Sequence, residues 1–139
     1  MLILLNITIW RRVNVKSKRK RSVSLIIAAA LGVIYSIYIL TYFGGVITGT
    51  QSAAEAVGGV IATAFVTPHM VCVVVAAIFN SVACFTNKRG FALAGAILYC
   101  VGAVVFLVYA PFVVPSIILS FVGYAKLGKI NKTAAILED

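Results

Sequence analysis

Residues 16–42 read KSKRKRSVSLIIAAALGVIYSIYILTY, and the boundary inside that stretch decides the fold. Five cations in the six residues 16–21 give way to twenty residues, 23–42, that carry no charge. About twenty apolar residues in an α-helix is the length that crosses a bilayer. Lys and Arg beside such a helix stay on the cytoplasmic side, because those charges resist translocation. The same alternation recurs down the chain. Further apolar runs occupy 67–86, 91–108 and 112–127, and the twelve Lys and Arg fall in three places: 11–21, Lys88 with Arg89, and Lys126 with Lys129 and Lys132. Counting crossings, all three places share one side. No Lys or Arg occurs in 43–66 or at the Tyr109-Ala110-Pro111 turn. The expected architecture is an all-α integral membrane protein, a four-transmembrane-helix bundle with both termini cytoplasmic. Its parts are a basic N-terminal segment (1–22), the membrane domain (23–127) and a cytoplasmic tail (128–139).

Composition agrees with lipid as the solvent. The 139 residues are 63% hydrophobic and 11% charged, with a mean hydropathy of +1.12. Soluble domains average about 25% charged residues, and a chain this small has too little interior to hide so much apolar surface from water. The formal net charge of +9 would suit nucleic acid. Here the cations sit beside apolar spans, however, and no basic groove interleaved with aromatic residues is visible. The expected partners are the bilayer itself, with its anionic headgroups meeting the basic N-terminus, and a membrane protein or a second copy of the chain. No nucleic acid is expected. Cys72, Cys84 and Cys100 all fall within spans and are odd in number, which argues for packing residues rather than disulfides. Their spacing does not suit zinc, and no cofactor is expected.

The first ten residues are apolar, yet too short to span. They also lack the basic start and small-residue cleavage site of a signal peptide. Two readings stand. One is an interfacial anchor beside the basic cluster. The other is a translated leader over 1–14: Trp10-Arg11-Arg12 can be encoded by TGG-AGG-AGG, a bacterial ribosome-binding sequence, with Val15 as a GTG start.

Along the first span, Ser24, Ala28, Gly32 and Ser36 recur every fourth residue. That spacing puts them on one helix face, the small-residue stripe through which membrane helices approach closely. Ala92, Ala96 and Cys100 form a similar stripe on the third span, with Gly95 and Gly102 nearby, and Ala76, Asn80 and Cys84 on the second. Tyr35, Tyr38 and Tyr42 crowd the outer end of span one, where tyrosines suit the headgroup level. Gly44-Gly45 is expected to stop that helix. For 43–66 two readings stand: an extension of the second span bent at Pro68 and, favoured, an extra helix on the outer surface over 52–66. It would break from span two at Thr67-Pro68, because a single helix from 52 to 86 would be about 50 Å long, beyond a hydrocarbon core of about 30 Å. Pro68 would then open the next helix, with Thr67 as its cap. Asn87-Lys88-Arg89-Gly90 reads as a short turn, Pro115 as a first-turn residue of span four, and 133–139 as a frayed tail.

Few residues carry chemistry. His69 is the sole histidine and Glu55 the sole acidic residue before Glu138. An ionisable group at membrane depth is a functional candidate. The alternative is a helix-start residue that contacts a folded-back Glu55, while a proton-linked role is the sharper reading. Asn80, near mid-span, needs a partner in lipid, either across helices or in a water-filled pore with Ser116 and Ser120. The spans hold no paired carboxylates, triad or phosphate loop, so an enzyme is not expected.

The basic start at 16–21, Thr67-Pro68-His69, Asn87-Lys88-Arg89-Gly90 and the run from Pro115 through Gly123 to Lys126 resemble those of small, functionally uncharacterised four-span membrane proteins of low-GC Gram-positive bacteria and their prophages. The resemblance covers Val15 to about Lys132 and implies a bacterial plasma membrane. In function the chain reads as a non-enzymatic accessory, interaction or immunity-type component. A self-assembling, holin-like pore is the alternative, followed by a small-molecule transporter.

Overall fold

On each of four long helices the buried positions advance by alternating steps of three and four residues. Leu25, Ala29, Gly32, Ser36, Ile39 and Phe43 make this seam on α2 (Val23–Thr48). Val66, His69, Val73, Ala76, Asn80 and Ala83 make it on α3 (Ala53–Thr86). Ala92, Gly95, Tyr99 and Gly102 follow on α4 (Arg89–Val105), and Val113, Ser116, Ser120, Gly123 and Leu127 on α5 (Ala110–Ile136). Such spacing keeps one narrow stripe of each helix turned towards its neighbours, as in coiled-coil bundles. This is a computed structural model. It describes residues 1–17, 21–49 and 52–136, without the side chains of residues 10–17 and 47. Lys18, Arg19 and Lys20 of the basic cluster, Thr50 and Gln51, and Glu138 lie outside the described residues.

Neighbours in sequence are neighbours in space. α2 packs on α3, α3 on α4, α4 on α5, and α5 closes back on α2. A 3-10 turn, Leu107–Tyr109, joins α4 to α5. The closing contact is tight: a Cβ on Gly123 would stand 2.9 Å from Leu25 Cδ1 and 3.3 Å from its Cα. Without a side chain at 123, α5 can lie directly against the α2 backbone. The core stacks in three clusters along the bundle. Leu25, Ala83, Ala92 and Leu127 fill one end, Val73, Ala76, Tyr99 and Val113 the middle, and Ile39, Phe43 and Val66 the other end.

The outside of the ring is apolar. Ile26, Ile34, Ile37, Val71, Ile78 and Val104 are all exposed, an arrangement that suits hydrocarbon and would be a liability in water. Three helical stretches, Val23–Val46, Ala53–Thr86 and Leu107–Ile136, are long and apolar enough to cross a membrane. α4, with 17 residues, stands at the lower limit of about 17 for a span. The chain is thus an all-α bundle compatible with a multi-pass membrane protein. α1 (Leu2–Ser17) precedes it, with the side chains of Leu2, Ile3, Leu4 and Leu5 exposed.

The described basic side chains of the bundle meet at one end. Lys126 Nζ donates to Ser24 Oγ at 2.8 Å, and Asn131 Nδ2 to the Asn87 carbonyl at 3.2 Å. The Arg89 guanidinium lies 4.5 Å from the centre of the Tyr124 ring, and that of Arg21 lies 5.9 Å from Phe85. Asn87 makes the turn there with φ 55°, a left-handed conformation that Asn tolerates better than most residues.

Several sequence expectations need correction. No separate outer-surface helix covers 52–66: α3 runs unbroken through Pro68. It begins at Ser52, which accepts from the Glu55 N–H at 3.2 Å while the Glu55 carboxylate accepts from the Ser52 N–H at 3.2 Å, a reciprocal cap. Pro68 forfeits one backbone bond, to the Ala64 carbonyl. A full break would expose several carbonyls and N–H groups in apolar surroundings. The single loss is cheaper, and the turn is tightened by the Thr67 hydroxyl, which donates to the Thr63 carbonyl at 2.6 Å. Thr67 is therefore no cap, and Pro68 is no first-turn residue. Gly44-Gly45 does not stop α2 either. The helix continues to Thr48 and ends at Gly49, whose N–H bonds the Gly45 carbonyl at 2.8 Å; two glycines weaken a helix without forbidding it. α4 stops at Val105 rather than 108, because Phe106 leaves helical geometry (φ −140°, ψ 85°). α5 opens at Ala110, so Pro111 takes the first turn and Pro115 lies inside. The tail is helical as far as Ile136.

Replacing Pro68 with Ala tests the continuous helix. If α3 is one element, Pro68→Ala restores the missing bond and raises stability in detergent, by up to about 3 kcal/mol. A helix start at 68 would instead be indifferent to the change or weakened by it.

Candidate polar site inside the bundle

Asn80 and Ser120 join α3 to α5 at the centre of the ring. Both are fully buried. Asn80 Nδ2 donates to Ser120 Oγ at 2.7 Å, and the Ser120 hydroxyl donates to the Ser116 carbonyl one turn back at 2.6 Å. In a pore, Asn80, Ser116 and Ser120 would face water. Here they are buried, and the hydrogen bonds run among them. The Asn80 side chain also occupies the space that a side chain at 95 would need: a Cβ on Gly95 would stand 2.8 Å from Asn80 Oδ1. On the seam of α4, Tyr99 is fully buried next to Asn80, without a well-formed hydrogen bond for either its hydroxyl or Asn80 Oδ1. That hydroxyl presses on the α2 backbone at Gly32, where a Cβ would collide with it.

His69 lies eleven residues, about 16 Å, nearer the start of α3 than Asn80. It is fully buried in the helix interior rather than at a helix mouth. Nδ1 stands 2.8 Å from the Gly102 carbonyl and Nε2 3.1 Å from the Tyr35 hydroxyl. A carbonyl only accepts, so Nδ1 carries the proton and, in the neutral ring, Nε2 accepts from Tyr35. One imidazole thereby ties α2, α3 and α4 together. Aromatic rings close around it: Tyr109 stacks at 5.8 Å and Tyr35 stands edge-on at 6.1 Å. Tyr35 in turn stacks on Phe112 at 6.2 Å. Tyr38 and Tyr42 are exposed, as headgroup-level tyrosines would be. Tyr35 has left that group to serve the histidine.

Glu55 does not meet His69. It caps the far end of the same helix, fourteen residues or about 21 Å away. The proposed fold-back contact needs the break that α3 lacks. Of the residues assigned to helix packing, Ser24, Ala28, Gly32, Ser36, Ala92 and Ala96 are all buried. Ser36 donates to the Gly32 carbonyl at 2.7 Å, and Ser81 to that of Ala77 at 2.8 Å. Hydroxyls thus bond the turn before them instead of seeking water. Cys84 is buried, and Cys72 and Cys100 are half-buried; all three are free. Among the described residues no three His, Cys, Asp or Glu side chains converge on a possible metal site.

Sequence reasoning found Asn80, Ser120 and His69 but not Tyr99, nor the Tyr35 and Gly102 partners of the histidine. The signal for Tyr99 was present in the steps of three and four through 92, 95, 99 and 102. A stripe of every fourth residue passes it by. As chemistry, the site joins helices. It offers one imidazole and one amide, each hydrogen-bonded to a neighbouring helix.

No family model, curated protein or solved structure matches the chain.

The contact between Gly32 and Tyr99 makes a paired prediction. Gly32→Ala forces Tyr99 aside and lowers stability by about 1–3 kcal/mol. Tyr99→Phe removes a buried hydroxyl that has no partner and costs little. The double variant therefore recovers much of the Gly32→Ala loss in a detergent unfolding titration. Strictly additive losses would mean that Tyr99 does not lie against Gly32.

Proposed function

We propose that this chain is a small, non-enzymatic protein of a bacterial plasma membrane with both termini in the cytoplasm. It would work by contact with another membrane protein, as an accessory or immunity-type component. One observation carries this reading. The α2–α3 pair reaches well beyond the outermost core cluster, in which Phe43 and Val66 meet Phe106 and Tyr109. From 53 to 65 only Gly59 is buried, while Val57, Val60, Ile61 and Phe65 are exposed. This stretch is about 20 Å long. α3 as a whole, 34 residues, is about 51 Å, against about 40–45 Å for a bilayer with its headgroups. Apolar side chains at that height favour a protein neighbour over water. The gathering of Arg21, Lys88, Arg89 and Lys126 at the opposite end supports that end as the cytoplasmic one. The bonding of Asn80, Ser116 and Ser120 to one another supports contact rather than conduction.

Two measurements test the proposal. With the native cysteines replaced, Thr48→Cys should react with an impermeant thiol reagent in intact cells and Thr133→Cys should not. The reverse pattern inverts the topology. A photo-crosslinker at Val60 or Phe65 should give a discrete protein adduct, absent from an exposed site on the lower bundle such as Ile78. Dye release from vesicles by the purified chain, with no adduct, would replace this reading by a holin-like pore.

A further inference from the structure

Beside the basic end of the bundle, the outer faces of α2 and α3 enclose an apolar groove of about 450 Å³. That lies within the range of about 300–1,000 Å³ for small-molecule sites. Ile26, Ala30, Val33, Ile34 and Phe85 form its walls, and Arg21 stands at its mouth with the guanidinium 5.9 Å from the Phe85 ring. From the geometry we infer that this groove binds an anionic glycerophospholipid, one acyl chain lying along α2 and the phosphate on Arg21.

Three features of the groove point to this occupant. Its α2 wall extends from Ile26 to Ile34, about 12 Å by helical rise, a length that an acyl chain can follow. Its single described charge is positive and sits at the end where Lys88, Arg89 and Lys126 also gather, the level of one headgroup layer. Arg presents a planar fork that matches a phosphate, and no described carboxylate competes for it: Glu55, the only one, caps the far end of α3. A free phosphate would satisfy Arg21 and leave the apolar walls unfilled. A zwitterionic lipid would fill the walls and gain less from the cation.

This inference rests on the membrane reading, and its test separates the two. The full chain is purified in mild detergent and offered equal amounts of phosphatidylglycerol and phosphatidylcholine with identical acyl chains, and bound lipid is counted by native mass spectrometry. The chain should retain phosphatidylglycerol about fivefold over phosphatidylcholine, the preference that one cation at a lipid surface supplies. Arg21→Gln, which leaves Lys16, Lys18, Arg19 and Lys20 in place, should lower the preference severalfold while both lipids still bind. Ala30→Phe and, independently, Val33→Trp fill the groove and should reduce retention of both lipids severalfold. Both positions face outward, so the unfolding midpoint should hold. An unchanged preference in Arg21→Gln would overturn the site, as would full retention in both groove-filling variants. So would a dimer that Ala30→Phe dissolves, since a second copy would then occupy the groove. A chain released from membranes by alkaline carbonate without detergent would count against the bilayer reading itself, whatever lipid it binds.

Discussion

Helices in lipid come together only as closely as the side chains between them allow, and that constraint organises this molecule. Lipid tails are as apolar as leucine, so no hydrophobic force drives one span against another, and close packing must supply the attraction. The seams accordingly carry small residues where backbones meet. At Gly32 the α2 backbone accepts the end of Tyr99, at Gly95 the α4 backbone accepts Asn80, and at Gly123 α5 accepts Leu25. Each of these pairs a glycine on one helix with a larger group from another. Two of these contacts follow the ring, α3 on α4 and α2 on α5, and the third, Tyr99 on Gly32, crosses it from α4 to α2.

Polar groups obey the same constraint. Without water, a buried donor or acceptor gains by finding a partner inside the chain, and most of those in the bundle do so, the Tyr99 hydroxyl and Asn80 Oδ1 apart. Hydroxyls on the spans turn back to the carbonyl one turn earlier, as Ser36, Ser81 and Thr67 do. Groups too large for that reach across helices: Asn80 to Ser120, and His69 to Tyr35 and Gly102. These links also set register, because sliding α3 by one turn along its neighbours would part the amide from α5 and the imidazole from α2 and α4. The same economy explains why α3 passes through Pro68. One missing bond costs less than two new helix ends exposed to hydrocarbon.

Much of this was legible in the sequence, and the remainder was hidden for physical reasons. The long apolar helices follow from the uncharged runs between the clusters of Lys and Arg, and Gly32, Ala92 and Ala96 fall on stripes that are in fact buried. Helix ends were read less well, because the rules for Gly and Pro describe helices that can trade backbone bonds for water. At Pro68 that trade is unfavourable, and at Gly44-Gly45 the propensity loss is too small to end the helix. The polar site was half visible. Asn80 and His69 stand out as costly residues in apolar runs, but their partners do not. Tyr35 looks like one more headgroup tyrosine, Gly102 contributes only its carbonyl, and Tyr99 falls off a strict four-residue stripe.

Closure of α5 onto α2 separates a self-contained ring from an open array that needs a second copy to complete it. A cysteine pair reports on it directly. Leu25→Cys with Gly123→Cys, in a chain whose three native cysteines are replaced, sets the two Cβ positions 3.0 Å apart, so α5 has to yield by only about 0.5 Å to reach the 3.5–4.5 Å that a disulfide bridges. Oxidation in native membranes should join the two within one chain, giving a faster-migrating monomer that reductant reverses. Cross-links formed only between chains, or none under conditions that oxidise a control pair at a helix turn, would contradict the closed ring.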